Sequence, residues 1–444
     1  MSKYYITTSS MPTLNKNYSC IDSLGNIYIL NSTGTIVKMD SSNNILWSNL
    51  ISSTYGVHPG AITVDSSGNI YITGTISLNS NYYNNGIILL VYNSSGSIIS
   101  DNLFRGASTD SMDSGDAIVL DGSGNVYIAG SISPNTTTTA MAGIVLKYNI
   151  SSGLEWATEI KDLSTTPQTV VNGIVLDGSG NVYATGTFNT SAGYPNLFIT
   201  KLNSSGTLVW LTRFTIGSPP SLGVSGIAVD SSGNLYITGN IGPSGYPEVF
   251  VGKINGTNGS FLWQEQFSNI YSYYNNTNGN SIAVDSSGNL YITGNYYQAA
   301  KTSYALIAKL NNSGVLQWQS NLTNGTGTTL MGVGYTISLD SSDNIYISGN
   351  YDGNSDFFLL TAPSSGPLDG VYATYTGSIA ITSSLNNLTL GASNLTTSTA
   401  GIGTATLSLI TSSLAGIITT TSTPYTWTVD NYFTTTTSNF FLFM

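Results

Sequence analysis

One string of ten letters constrains this chain more than any other feature. DSSGNLYITG stands at residues 230–239 and again at 285–294, and DSSGNIYITG occupies 65–74. Relaxed to D-x-x-x-N-h-Y-h, with h apolar, the pattern begins at Asp22, Asp65, Asp121, Asp177, Asp230, Asp285 and Asp340. Successive copies lie 43, 56, 56, 53, 55 and 55 residues apart. The tyrosine recurs every time, as Tyr28, Tyr71, Tyr127, Tyr183, Tyr236, Tyr291 and Tyr346. Such a period marks one supersecondary unit copied along a chain, whose copies bury against one another what none can bury alone.

The copy at Asp230 shows what the unit is. GIAVD (226–230), LYITG (235–239), VFVGKIN (249–255) and SFLWQEQF (260–267) read as four strands. They are rich in β-branched and aromatic residues and bounded by Gly, Asn and Ser clusters. A four-stranded antiparallel meander is expected. In DSSGN the Asp accepts a backbone N–H, and the Gly takes a positive φ, as a type I turn with a G1 bulge requires. Gly25, Gly68, Gly124, Gly180, Gly233 and Gly288 fill that place, and Asp343 fills it in the seventh copy. Trp47, Trp156, Trp210, Trp263 and Trp318 recur on the fourth strand and are expected to wedge between adjacent units; the second copy has Ser100 there. A unit apolar on both faces must be stacked, and seven such units suit a closed ring. The seventh lacks a clear fourth strand. Either DGVYATYT (369–376) or the N-terminal YYITT (4–8) supplies it, and the N-terminal strand is preferred.

These residues carry a resemblance. The pattern h-x-h-D-S-S-G-N-h-Y-h-T-G, followed by F-h-x-K-h-N-S-S-G-x-h-x-W, resembles the seven-bladed β-propeller repeat of many secreted and surface proteins, and more loosely NHL-type propellers. It covers roughly residues 18–365. The departures are a short first unit, the missing Lys and Trp of the second, and TAPSSG in the seventh. The resemblance implies an all-β fold of four-stranded blades and no catalytic residues to carry over.

The expected organisation is a propeller over residues 1–368 and a charge-poor, Ser/Thr-rich β segment or small domain over 369–444. Asp430 is the only charged residue after 370. Short alternating runs there (SIAIT, NLTLG, ATLSLI, GIITTT, YTWTVDNYF) read as strands. An uncharged, β-prone segment left unpaired is an aggregation hazard, so it is expected to be covered by the propeller, by a copy of itself or by another protein. The terminal SNFFLFM reads as a docked last strand or as a partner-binding strand.

Composition excludes several functions. Only 7% of the 444 residues are charged, against about 25% in ordinary soluble domains, and the net charge is −11. With no Lys/Arg cluster, nucleic acid is not an expected partner. Cys20 and His58 are single copies, so neither an intrachain disulfide nor a Cys/His zinc site fits. The first twenty residues contain no apolar core of a signal peptide, and no apolar run is long enough for a transmembrane helix. No cofactor is implied.

Candidate sites are few. The repeated Asp residues are each accounted for by their own turn. Lys38, Lys147, Lys201, Lys253 and Lys309 recur on the third strand, where packing along the blade outweighs a cationic ring. Asp110, Asp113 and Asp116 form the densest acidic cluster, but not at a calcium-loop spacing. The triplets at Asn93, Asn203, Asn311 and Asn387 match the glycosylation pattern, which so Asn- and Ser-rich a chain produces by chance. His58 has no assignable nucleophile, and Glu155, Glu159, Glu248 and Glu265 show no glycosidase pairing. The variable loops are more informative. They emerge opposite the repeated turns and carry Tyr55, Tyr82, Tyr83, Tyr194, Tyr246, Tyr273, Tyr274, Tyr296 and Tyr297. Loops on a rigid scaffold are where binding resides, and Tyr offers a large amphipathic contact.

The sequence therefore reads as a non-enzymatic surface or virion structural protein, extracellular, with an adhesive propeller face for a surface glycan or protein receptor. Its C-terminal segment is expected to anchor it or to join it to further copies or to another structural protein. The alternatives are a shell or filament subunit assembling by strand exchange and, last, a polysaccharide hydrolase or lyase.

Overall fold

The computed structural model describes residues 3–7, 17–41, 44–80, 84–106, 112–133, 141–160, 168–189, 195–216, 220–243, 248–269, 278–298, 302–322, 332–351, 356–362 and 364, with strands within 379–430. Six complete four-stranded antiparallel meanders are built from consecutive strands, each named here by its repeat aspartate. The Asp22 blade is β2 (Asn17–Ile21), β3 (Ile27–Asn31), β4 (Thr35–Met39) and β5 (Ile45–Ser53). The Asp65 blade is β6 (Val57–Val64), β7 (Ile70–Ser77), β8 (Asn85–Tyr92) and β9 (Ile98–Arg105). The Asp121 blade is β10 (Ser114–Leu120), β11 (Asn125–Ile132), β12 (Ala142–Asn149) and β13 (Gly153–Ile160). The Asp177 blade is β14 (Gln168–Leu176), β15 (Val182–Asn189), β16 (Pro195–Leu202) and β17 (Leu208–Ile216). The Asp230 blade is β18 (Pro220–Val229), β19 (Leu235–Pro243), β20 (Glu248–Ile254) and β21 (Phe261–Asn269). The Asp285 blade is β22 (Asn278–Val284), β23 (Leu290–Gln298), β24 (Thr302–Leu310) and β25 (Leu316–Leu322).

The fold is thus an all-β propeller of four-stranded blades, with six complete blades among the described residues where the repeat count leads one to expect seven. The copy at Asp340 makes only three consecutive strands, β26 (Val333–Leu339), β27 (Ile345–Tyr351) and β28 (Asp356–Ala362). The N-terminal strand β1 (Lys3–Thr7) pairs antiparallel with β28, Lys3 opposite Thr361. The other candidate for that place, 369–376, lies outside the described residues. Five short strands follow: β29 (Ile379–Thr382), β30 (Leu388–Thr389), β31 (Ser408–Ile410), β32 (Ile418–Ser422) and β33 (Val429–Asp430). Each pairs with the outer strand of a sheet.

The chain divides into two compact units. One holds the Asp22, Asp65, Asp121 and Asp177 blades with residues 388–424; the other holds the Asp230 and Asp285 blades, the Asp340 sheet and residues 425–444. Within each, cores form between neighbouring blades. Ile72, Ile88 and Leu90 of the Asp65 blade pack with Tyr28, Leu30 and Ile36 of the Asp22 blade. Ile292, Leu306 and Ala308 of the Asp285 blade pack with Tyr236, Val249 and Val251 of the Asp230 blade. Strand β11 is buried along its whole length, which is what an element apolar on both faces requires.

Every letter of the repeated string has a physical reason. In the Asp230 copy, Oδ1 accepts the N–H groups of Ser232 and Asn234 at 2.9 and 2.8 Å. Its Oδ2 accepts the Asn234 side-chain amide and the Tyr236 hydroxyl, both at 3.0 Å. The Gly233 φ is 79°, and Asp343 adopts 59° in the copy that lacks the glycine. Thr238 Oγ1 donates to the Phe250 carbonyl of the third strand at 3.0 Å. The closing glycine, Gly239, is fixed by a bulge on the first strand, which brings the Gly223 carbonyl where a Cβ would stand.

The short first step has an equally local cause. In the Asp22 blade the second and third strands are joined by a tight turn, with Asn31 Oδ1 accepting from Thr33 and Thr35 N–H groups at 3.1 and 2.8 Å. The other blades place a longer connection there.

Candidate functional site

Each complete blade has two ends. One carries the Asp turn and the turn between the third and fourth strands; the other carries the connection between the second and third strands.

The turn end is occupied by its own network. Across the strands of the Asp121 blade, Tyr127, Lys147 and Trp156 stand in register. Lys147 Nζ lies 5.5 Å from the Tyr127 ring centre, and the Tyr127 and Trp156 rings meet edge-on at 5.9 Å. The same ladder recurs as Tyr183–Lys201–Trp210, Tyr236–Lys253–Trp263 and Tyr291–Lys309–Trp318. In the Asp65 blade, Val91 and Ser100 replace the lysine and tryptophan. The lysines are therefore held by aromatic faces and local acceptors, such as Glu155 at 2.8 Å from Lys147 and the Ser364 carbonyl at 3.0 Å from Lys309.

Electrostatics follow from this packing. Partial burial opposes ionisation of Asp22, Asp121, Asp177, Asp230 and Asp340. Hydrogen bonds from the Asn side chain, backbone N–H groups and the Tyr hydroxyl outweigh it and hold these carboxyls below the ordinary value. The repeat tyrosines move the other way. Burial, then the adjacent carboxylate, pushes Tyr71 and Tyr346 up to about 12.

The glycosylation-like triplets at Asn93, Asn203 and Asn311 also belong to this end, and Asn387 lies outside the described residues. Asn93 Oδ1 accepts from the Ser95 and Ser97 N–H groups at 3.1 and 2.9 Å. Asn203 and Asn311 do the same in their blades.

Of the tyrosines expected at the opposite end, three fall among the described residues. Tyr55 is exposed at 48%, between β5 and β6. Tyr296 and Tyr297 are not in a loop as the sequence suggested. They lie on β23, with Tyr296 opposite Tyr304 and Tyr297 opposite Ser303, because the β23–β24 hairpin runs on to Gln298. Tyr82, Tyr83, Tyr194, Tyr246, Tyr273 and Tyr274 lie outside the described residues.

The acidic cluster resolves into separate roles. Asp113 is fully buried and accepts the backbone N–H groups of Gly106 at 2.7 Å and Ser133 at 2.9 Å. It ties the entry of its blade to the end of the second strand. Asp116 accepts the Ser114 hydroxyl at 2.9 Å. Asp110 lies outside the described residues. Among the described residues, no three His, Cys, Asp or Glu side chains are grouped to hold a metal ion. His58 is exposed and sits on strand β6. Glu155 and Glu159 share β13, Glu248 opens β20, and Glu265 on β21 is pushed up by burial.

One feature of the first strands escaped the sequence reading. Each of six carries a bulge centred five residues before the repeat Asp, at Gly60, Asp116, Asn172, Ser225, Asn280 and Tyr335. The constant offset was the available signal. Asp116 lies near the partly buried Tyr18 phenol, which burial and then that carboxylate push up. Asn280 donates to the Gly334 carbonyl at 2.8 Å.

A family profile described as Beta-propeller repeat matches residues 46–79, 209–242 and 266–295. No curated protein matches the chain. Among solved structures, the Dos1 propeller superposes with a TM-score of 0.47 at 10% identity, over 77% of this chain and 76% of that one. A luciferin-regenerating enzyme gives 0.43 at 10% identity, over 82% and 97%. Among the described residues, no helix is long and apolar enough to cross a membrane.

Proposed function

We propose that the protein is a non-enzymatic binding module of an exterior surface, extracellular or on a virion, whose variable blade ends take a surface glycan or a protein receptor. The observation that carries the reading is the division of labour within each blade. The turn end spends its Asp, Asn, Tyr and Lys side chains on its own fold, so sequence variation is left to the other end. The tyrosines at that end supply apolar faces and hydroxyls suited to sugar rings or a protein surface. A surface with few ions keeps its properties over a wide range of salt, which suits an exposed setting. In this reading β26–β28 with β1 make a seventh blade, and the C-terminal strands are the anchoring part of the scaffold.

The test is a glycan array and a cell-surface binding assay on the full chain. Binding is expected to fall at least about tenfold, or about 1.4 kcal/mol, in Tyr296→Ala/Tyr297→Ala. It should be unchanged in Asn311→Ala, at the turn end. The proposal fails if the full chain binds neither surface.

A further inference from the structure

Five outer strands carry a fifth neighbour drawn from residues 379–430, and they receive it in descending order. Strand β29 lies on β21, β30 on β17, β31 on β9, β32 on β5 and β33 on β1, every pair antiparallel. The strands begin at 379, 388, 408, 418 and 429, so each advance is about ten residues except the doubled one from β30 to β31. That doubled advance passes over the Asp121 blade, whose outer strand β13 falls between β17 and β9 in the descending order. The count is therefore constant, at one blade for every ten residues or so.

Continued by one step, the order goes from β1, on the Asp340 sheet, to β25 of the Asp285 blade. Among the described residues, β25 pairs only with β24. One step beyond Val429 reaches residue 439, within SNFFLFM (438–444). Both β33 and β25 belong to the same compact unit.

We propose that SNFFLFM adds as an antiparallel fifth strand to the β25 edge of its own Asp285 blade. An outer strand presents a row of unpaired N–H and C=O groups, and a proline-free run containing Phe440, Phe441 and Phe443 has the propensity to fill it. The run is also too apolar to be left exposed in a chain whose surface carries so little charge. This inference is independent of what the variable blade ends bind.

The test uses the full chain carrying Cys20→Ser, Ser320→Cys and Phe441→Cys, prepared as a mixture of isotopically light and heavy protein. Mild oxidation is expected to give disulfides within one chain, at a yield independent of protein concentration. Disulfides joining light to heavy chains would make a second copy the occupant and overturn the proposal, as would no disulfide at all. Hydrogen exchange provides a second measurement on a different variant. In Phe441→Pro/Phe443→Pro, amides of residues 316–322 should exchange at least about tenfold faster than in the unaltered chain, with β23 unchanged. Equal exchange rates across 316–322 would overturn the proposal.

Discussion

The Trp156 indole closes over Gly206 of the next blade. Its Nε1 donates to the Ser204 carbonyl at 3.1 Å, and a Cβ at Gly206 would stand 2.6 Å from two of its ring carbons. Trp47 meets Gly96, and Trp263 meets Gly314, in the same way. The glycine serves two ends at once, because it turns the chain at positive φ and leaves room for its neighbour's ring. Trp318 Nε1 is unpartnered among the described residues.

The two demands on such a glycine can be separated. Gly233 has a φ of 79° and nothing within 4 Å of its Cβ position. Gly233→Ala should therefore cost only the left-handed backbone penalty, about 1–2 kcal/mol. Gly206→Ala carries the same penalty plus overpacking against Trp156, about 1–3 kcal/mol more. Urea midpoints of the two variants measure the difference, and equal losses would mean that the indole yields freely.

Removal of the Asp230 carboxylate strands more partners than removal of the hydroxyl it holds. Asp230→Ala leaves the Ser232 and Asn234 N–H groups, the Asn234 amide and the Tyr236 hydroxyl without their acceptor. A loss of about 2–4 kcal/mol is expected, against about 1 kcal/mol for Tyr236→Phe. Denaturant unfolding decides it; similar losses would show that the turn forms without the carboxylate.

Acid and alkali should weaken the fold from opposite sides. Five repeat carboxyls titrate lower in the folded chain than the ordinary 3.8, so the unfolded chain binds more protons below that value. Their contribution is present above the ordinary value and is lost as pH falls through the lowered ones. The tyrosines are raised, so theirs is complete below pH 10 and is lost as pH rises, through about 12 for Tyr71 and Tyr346. Urea midpoints should hold level from about pH 5 to pH 9 and drop on both sides. A level midpoint down to pH 2.5 would contradict the acid arm.

Cys20 should resist alkylation. Burial, and then the neighbouring Asp22 carboxylate, pushes its thiol up, so little thiolate exists at neutral pH. Iodoacetamide labelling at pH 8 is expected to be at least about a hundredfold slower in the native chain than in urea. Comparable rates would place the thiol in solvent.

Much of the blade was legible because its signals are local. The Asp, the turn glycine and the tyrosine each act within ten residues, and Asp343 could be read as a tolerated substitute from its side chain alone. The partner of the tyrosine hydroxyl was not legible, because a strand pattern says that Tyr236 is buried and not what its oxygen meets. Asp113 looked like part of an acidic loop, since nothing local marks a carboxylate that serves the backbone N–H groups of both Gly106 and Ser133. Tyr296 and Tyr297 were assigned to a loop because Asn and Gln beside them mimic turn composition, whereas cross-strand pairing extends the hairpin. The runs that hold β29–β33 read as strands, but nothing in them marked which outer strand each would join. An added edge strand is chosen by open backbone groups, which every blade presents alike.

That pairing sets a timetable. Ile381 joins Phe267, Thr389 joins Thr215, Leu409 joins Phe104 and Thr420 joins Ile51, each pair enclosing the one before it along the chain. The brackets are nested, so the edge synthesised earliest among these four is the last to be covered. A chain leaving the ribosome carries the bare margin of β5 until residues 418–422 have been made. Contacts this distant in sequence form slowly, because the loop must close before any bond rewards it. The interval between making the first blade and covering it is when this otherwise well-sheltered protein is most open to sticking to its neighbours.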